Sequence, residues 1–244
     1  MARQIIITGA NGGIGTALCE AYHSRNFDVV AIDIQSMASH KFKSQYITLD
    51  QDEYVRSKEY RKKIDAQLSK LNPSVLINNA ATQLLGEFSV LDDDDWTTTM
   101  NVNFQSCYFL IKACYEALAQ NIGQVINIGS IHANQTKPRF FAYAASKSAL
   151  VGLTKALAVE LKGKITVNAV SPAAIGTDML RAGFDNDDKM LSKLAGIHPS
   201  QEIGSPQLLA NFITDITLAN NRFLNGSNIS YDGGISSALL DLDY

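Results

Sequence analysis

The chain has 244 residues, with 21 Lys plus Arg against 24 Asp plus Glu and a formal net charge of −3. An apolar fraction of 46 % with 18 % charged residues is ordinary for a chain that buries a core, and it excludes a disordered, collagenous or coiled-coil protein. Near-neutral charge without a basic block argues against a nucleic-acid partner. No run of about 18 apolar residues is present to span a membrane. Before Gly9 the chain carries only the short apolar run Ile5-Ile6-Ile7, so no secretory leader is expected, and the expected location is the cytoplasm. The three cysteines, Cys19, Cys107 and Cys114, lack CxxC spacing. They form neither a disulfide framework nor a zinc site, so they are expected to pack in the interior, and no metal site is expected.

Taken in chain order, short β-branched runs alternate with long amphipathic stretches. Strands are predicted at residues 4–8, 28–32, 45–49, 75–78, 124–128, 166–170 and 227–231. Helices are predicted at 13–24, 54–71, 94–120, 142–161 and 206–219. Several strands are apolar at nearly every position, as strands covered on both faces must be. This alternation predicts a parallel sheet with helices on both sides. Strands continue to residue 231, so residues 1–244 are expected to form a single domain. The acidic run from Asp92 to Asp95 precedes Trp96 and a helical pattern. Carboxylates there offset the helix dipole and cap free N–H groups.

The first strand runs directly into Thr8-Gly9-Ala10-Asn11-Gly12-Gly13-Ile14-Gly15, and a helical pattern follows. Glycines in such a loop allow a tight turn, close approach of backbone N–H groups to a pyrophosphate, and packing of helix on strand. The spacing is G-x-x-x-G-x-G rather than G-x-G-x-x-G. The second strand ends at Asp33, where a carboxylate can accept hydrogen bonds from an adenosine ribose and repel a 2′-phosphate. Ile34 and Gln35 follow it, and no Arg or Lys stands in the glycine loop. NAD(H) is therefore expected in preference to NADP(H).

Downstream, Tyr143-Ala144-Ala145-Ser146-Lys147 opens a helical pattern. Residues four apart share a helix face, so Tyr143 and Lys147 can enter one site. A phenol there can act as general base toward an alcohol or general acid toward a carbonyl. Ser130, just past the fifth strand, offers a hydroxyl for the substrate oxygen.

With these motifs in place the sequence resembles the short-chain dehydrogenase/reductases in their single-domain form. Thr8 to Gly15 resembles the family's TGxxxGxG loop, and Asn78-Asn79-Ala80-Ala81 its NNAG motif. Asn103 matches the helix asparagine, while Ser130 and Tyr143-x-x-x-Lys147 match the Ser and YxxxK. Ser171 to Thr177 is similar to PGxxxT, and Tyr231-Asp232-Gly233-Gly234 to the family's last strand. The resemblance implies a doubly wound Rossmann fold with a seven-stranded parallel sheet. It also implies oxidation of a secondary alcohol or reduction of its carbonyl, with Tyr143 as acid and base. Lys147 would bind the nicotinamide ribose and lower the phenol pKa, Ser130 would polarise the substrate oxygen, and Asn103 would hold a water linking Lys147 to solvent. The implied cofactor contacts are Gly9, Asn11, Gly12, Gly13, Ile14, Gly15, Asp33, Asp50, Asn79, Ala80, Tyr143, Lys147, Pro172, Ile175 and Thr177. Asp50 would meet the adenine, and Ile175 and Thr177 would bracket the carboxamide.

Ala81 and Ala173 depart from the family by replacing its glycines, and a methyl group there forbids an easy positive φ. The resemblance implies a small carbonyl or alcohol substrate, with Gln83, His132, Phe140 and Ala173 as candidate pocket residues. Gln83 and His132 suit hydroxyl groups, and ordinary loop polarity explains them as well. A lid is expected over residues 177–198 with Gly176, Gly183 and Gly196 as hinges, and the polar stretch from Phe184 to Lys189 as exposed loop. His23, His40 and His198 lack partners at metal-ligand spacing. By analogy the chain is expected to form a homodimer or homotetramer through residues 94–120 and 142–161, whose apolar faces include Cys107, Phe109, Leu153 and Leu157. The tail from Ser236 to Tyr244 is apolar enough to dock on a neighbouring subunit. Two other readings stay open: a catalytically idle dinucleotide-binding regulator, and an epimerase or dehydratase working by transient oxidation.

Overall fold

The computed structural model describes residues 3–36, 42 and 44–239. His40 and the tail from Leu240 to Tyr244 lie outside the described residues. Seven strands are present: β1 (Gln4–Thr8), β2 (Asp28–Asp33), β3 (Gln45–Thr48), β4 (Pro73–Asn78), β5 (Gln124–Ile128), β6 (Thr166–Pro172) and β7 (Asn228–Tyr231). They form one parallel sheet in the order β3-β2-β1-β4-β5-β6-β7. All seven predicted strands are found, with ends shifted by a residue or two.

The sheet is covered on both faces, which explains its apolar strands. Ile5 and Ile7 enter a cluster with side chains of α1 (Gly13–His23), and Ile6 enters a second cluster with Val30, Leu76 and Leu110. Each of the three isoleucines is wholly buried. Such a side chain contributes about 2 kcal/mol of hydrophobic stabilisation. The cysteines lie in this interior, where burial pushes the thiols of Cys19 and Cys114 up to about 12 and that of Cys107 to about 11. Thiols so far from ionisation are packing groups.

The predicted helices are present but two of them are broken. Residues 54–71 become α2 (Gln51–Arg56) and α3 (Lys58–Leu68), separated by Ser57 in extended conformation. The Ser57 hydroxyl caps the second helix by accepting from Tyr60 N. Residues 94–120 become α4 (Asp93–Met100), a π-helical turn (Asn101–Gln105), α5 (Ser106–Ala113) and α6 (Tyr115–Gln120). Asp92 caps α4, as the acidic run predicted. The long helix α7 (Phe141–Glu160) is continuous. The lid segment contains α8 (Asp178–Ala182) and α9 (Asp188–Gly196), so Asp188 and Lys189 open a helix rather than ending a loop. The helix α10 (Pro206–Leu218) closes the face shared with α1. No helix among the described residues is long and apolar enough to cross a membrane.

Strand order reverses between β1 and β4, which opens a crevice at their carboxyl ends. The glycine loop lies there. Gly9 has φ +62°, and a Cβ on it would stand 2.7 Å from Ala80 Cα. A Cβ on Gly15 would stand 1.9 Å from the Gly9 carbonyl oxygen. These glycines are steric requirements of the turn itself. Gly15→Ala is expected to lower stability by at least about 3 kcal/mol, because backbone must move to admit the methyl. In Gly12→Ala the new Cβ meets the same oxygen at an ordinary 3.4 Å, and stability should hold within about 1 kcal/mol. Urea unfolding of both variants checks the contrast.

Candidate active site

Lys147 is the most unusual side chain in the sheet's helix cover. It is only 2 % exposed, yet it carries an ammonium. Its Nζ donates to the Ile128 carbonyl at the end of β5, 2.8 Å away. Burial pushes its pKa down to about 8. One turn earlier on α7 stands Tyr143, with Lys147 Nζ 5.7 Å from the centroid of its ring. Ser130, which follows β5, stands near enough to the phenol for its hydroxyl to favour the ionised form. The three groups that the motif analysis separated along the sequence are therefore in one place.

The phenol differs from expectation in one respect. Its pKa stands above the ordinary tyrosine value, because burial outweighs the lowering influence of the Ser130 hydroxyl. The lowering expected from Lys147 is not a property of the chain by itself: the ammonium lies beside the ring and points to a carbonyl.

Asn103 sits in the π-helical turn and is fully buried. Its Oδ1 accepts from Thr82 N at 2.8 Å, and its Nδ2 donates to Thr82 O and to Ser146 Oγ. Ser146 in turn donates to the Tyr143 carbonyl at 2.7 Å. The asparagine side chain is thus committed to protein partners. It braces the loop after β4 against α7. Ser146 was missed in the sequence, although its place inside the Tyr-x-x-x-Lys turn is visible there.

At the crevice, Thr8 Oγ1 accepts from both Asn79 N and Ala80 N, and Asn79 Nδ2 donates to the carbonyls of Thr8 and Gly9. No side chain caps the N-terminus of α1 at Gly12. Its first-turn N–H groups face a cradle that added Cβ atoms would fill: one on Gly13 would lie 2.8 Å from Thr177 Cγ2. A dinucleotide pyrophosphate fits this arrangement. Asp33 accepts from Asn11 N at 2.9 Å and from Gln35 N at 3.2 Å. Asn11 Nδ2 donates to Tyr46 Oη and Gln35 Oε1, so a polar rim surrounds the carboxylate. Asp50 caps α2 through one carboxylate oxygen, which accepts from Asp52 N and Glu53 N. Pro172 ends β6 and is buried. Ile175 packs into the core, and Thr177 caps α8.

Ala81 and Ala173 are absent from the positive-φ residues, so neither position demands the glycine found in the family. Ala173 N donates to the Tyr231 carbonyl, tying this segment to β7. Gln83 is half-buried beside the anchored Thr82. His132 stacks on Phe140 at 4.5 Å and meets Tyr143 edge-on at 5.7 Å. A cavity of about 320 Å³ is lined by Gly176, Leu180, Arg181, Leu191, Ile203 and Ser205. His23 stacks on Phe42, and His198 is buried with Nδ1 on the Leu194 carbonyl. Cys107 is buried within the chain, and Phe109 and Leu157 are partly buried against its own core.

Sequence and structure comparisons agree with this geometry. The family model for short chain dehydrogenases matches residues 3–188. The chain belongs to the short-chain dehydrogenase/reductase family of oxidoreductases. An acetoacetyl-CoA reductase from Shinella zoogloeoides is 29 % identical over 242 residues, covering 96 % of this chain and 98 % of that protein. A 4-hydroxyisoleucine dehydrogenase complexed with NADH superposes with a TM-score of 0.87 at 29 % identity, covering 97 % of this chain and 100 % of the other. ElxO with NADP bound gives a TM-score of 0.84 at 27 % identity, covering 98 % of this chain and 100 % of the other. Family members of this shape thus occur with either dinucleotide.

The buried lysine has a measurable signature. With its folded pKa below the unfolded value, the unfolded chain holds more protons between about pH 8 and the ordinary 10.5. The cost of burying the charge is present below this window and is relieved as pH rises through it. Relative to Lys147→Met, the wild-type chain should gain about 2 kcal/mol of unfolding free energy between about pH 8 and 10. Denaturant titrations of the two proteins across that range check it.

Proposed function

We propose that this chain is an NAD(H)-dependent oxidoreductase that interconverts a secondary alcohol and its carbonyl, with Tyr143 as acid and base. The observation that carries the reading is the buried Lys147, anchored on the Ile128 carbonyl two residues before Ser130, with its ammonium 5.7 Å from the centroid of the Tyr143 ring one helical turn away. A bound nicotinamide supplies the hydride acceptor or donor. Tyr143, once its own proton has passed to solvent, takes the alcohol proton at its phenolate oxygen, and as phenol it gives that proton to the carbonyl oxygen in the reverse direction. Ser130 Oγ already accepts from His132 N, so its own proton is free to be donated to the substrate oxygen. Lys147 holds the nicotinamide ribose with an ammonium whose depressed pKa makes it a ready partner in proton movement. Asn103 acts through Thr82 and Ser146 by fixing the loop and helix that carry these groups. Much of the rate enhancement would come from such positioning.

The preference for NAD(H) is supported by Asp33. Among the described residues it makes no ion pair that would offset its charge against a 2′-phosphate. Gly9, Asn11, Gly12, Gly13, Ile14 and Gly15 would hold the pyrophosphate, and Asn79 and Ala80 the adjoining sheet ends. Asp50 retains a second carboxylate oxygen for the adenine. Pro172, Ile175 and Thr177 would border the carboxamide. Gln83, His132, Phe140 and Ala173 border the substrate side. A homo-oligomer fits the exposure of Tyr108 on α5 and Val159 on α7.

A panel of carbonyls and alcohols, acetoacetyl-CoA and 4-hydroxyisoleucine among them, followed by reduced-nicotinamide absorbance with both dinucleotides, tests the activity. Tyr143→Phe should lower turnover by about 1,000-fold while NADH binding, read by fluorescence, stays within about two-fold. Substantial residual turnover would remove Tyr143 from its role. Asp33→Ala should weaken NADH binding about ten-fold and raise the relative use of NADPH. An unchanged preference would count against the ribose contact.

A further inference from the structure

His132 touches both members of the proposed catalytic pair. Its main-chain N–H donates to Ser130 Oγ at 3.2 Å. Its imidazole meets the Tyr143 ring edge-on, with centroids 5.7 Å apart and planes at 81°. Phe140 meets the same tyrosine in the same manner, at 6.4 Å and 86°. The two bracing rings are stacked on each other at 4.5 Å with planes 8° apart. Tyr143 therefore stands against a pair of parallel rings.

The loop after β5 is built to hold that pair. His132 Nδ1 is bonded to Thr136 Oγ1 at 3.0 Å. Lys137 Nζ lies 4.5 Å from the centroid of the Phe140 ring. Arg139 takes φ +73°, a left-handed conformation that a long side chain rarely adopts. That conformation immediately precedes Phe140. Two bonds pin the loop from outside: Ser148 Oγ donates to the Ala133 carbonyl, and Gly86 N donates to the Arg139 carbonyl. Backbone strain next to a reacting group persists only where the surroundings over-determine it.

We propose that His132 is a positioning residue: its ring braces the Tyr143 phenol and shields it from water, while its main-chain N–H sets the direction in which Ser130 donates. This rests on the reading of Tyr143 as acid and base, and it gives His132, beside its place on the substrate side, a part in the machinery behind the reaction. The charged groups around the imidazole are consistent with a neutral brace. Burial and the Lys137 ammonium hold its pKa down to about 4, so the ring is uncharged over the range in which a phenol works. Edge-to-face contacts of this kind hold two rings beyond what simple burial does. Loss of about 1 Å of alignment at a reacting atom costs about a hundred-fold in rate.

The phenol itself reports on the brace, without substrate or dinucleotide. The ultraviolet absorbance of tyrosinate is titrated in each protein, and the curve of the matching Tyr143→Phe double variant is subtracted to leave Tyr143 alone. In the wild-type chain the phenol should titrate above the ordinary tyrosine value. In His132→Ala and His132→Asn, which remove the ring, water reaches the phenol and its midpoint should fall by about one unit. His132→Phe restores a ring of similar shape without the nitrogens, and its midpoint should return to the wild-type value. Two ring-deleting variants are used so that poor folding of one leaves the other to decide. A midpoint unmoved by either of them overturns the proposal, as does a Phe variant that behaves like Ala. Failure of the acid/base reading would look different: Tyr143→Phe would keep its turnover while the titrations still moved.

Discussion

A buried ammonium organises this structure. Taking Lys147 out of water costs several kcal/mol, and the single carbonyl of Ile128 repays only part of that. A cavity filled by Leu or Met would be more stable. The cost is met by the sheet and by α7, whose inner face carries Leu150, Val151, Thr154 and Ala158 into the interior. Once Lys147 is anchored at the end of β5, helical geometry leaves little freedom for Tyr143 one turn away. Ser130 lies two residues beyond the same carbonyl. One hydrogen bond between helix and strand therefore sets the spacing of all three groups.

The polar groups behind the site extend this logic. Asn78 Nδ2 donates to Asn127 Oδ1, and Asn127 Nδ2 donates to Thr154 Oγ1, which links β4, β5 and α7 through the core. The Asn103 amide then joins the loop after β4 to Ser146 on α7. On the far side, α2 contacts the π-helical turn from below: Asn101 Nδ2 donates to Asp52 Oδ1, and Gln51 Nε2 to Ser106 Oγ. Asp50, the cap of α2, lies on the expected adenine side. A helix of six residues thus connects the two ends of the cofactor groove, and bonds that hold its first turn also hold the turn that carries Asn103.

Strand positions were readable in the sequence because strands buried on both faces leave unbroken apolar runs. The glycine loop was readable because its glycines are steric requirements, and a missing side chain is a local signal. The breaks at Ser57 and Cys114 and the π-helical turn were not. Amphipathic periodicity continues across them, and Ser57 has an N-cap signal that is common inside long helices. The roles of Asn103 and Ser146 were partly hidden for a different reason. Their partners, Thr82 and Tyr143, are distant in sequence or on the main chain, and side-chain spacing does not record a main-chain acceptor. The sign of the Tyr143 shift was misjudged by counting the charge of Lys147 without the burial that both groups share.

The departures from the family pattern show how such reasoning should be limited. A glycine in a motif is informative only where its backbone or surroundings exclude a Cβ. At Gly9 both conditions hold, and at Gly15 the clash alone suffices. At positions 81 and 173 neither a left-handed backbone nor a broken hydrogen bond accompanies alanine. The methyl of Ala173 is then accommodated without either penalty. The same test applied to residue 139 gives the opposite result, because there a long side chain occupies a conformation that glycine would adopt more cheaply. Its carbonyl is bonded to Gly86 N, and Phe140 follows directly. Strain retained at that point, in a loop whose rings bear on Tyr143, marks residues 132–140 as built for the geometry of the reacting groups rather than for the stability of the loop.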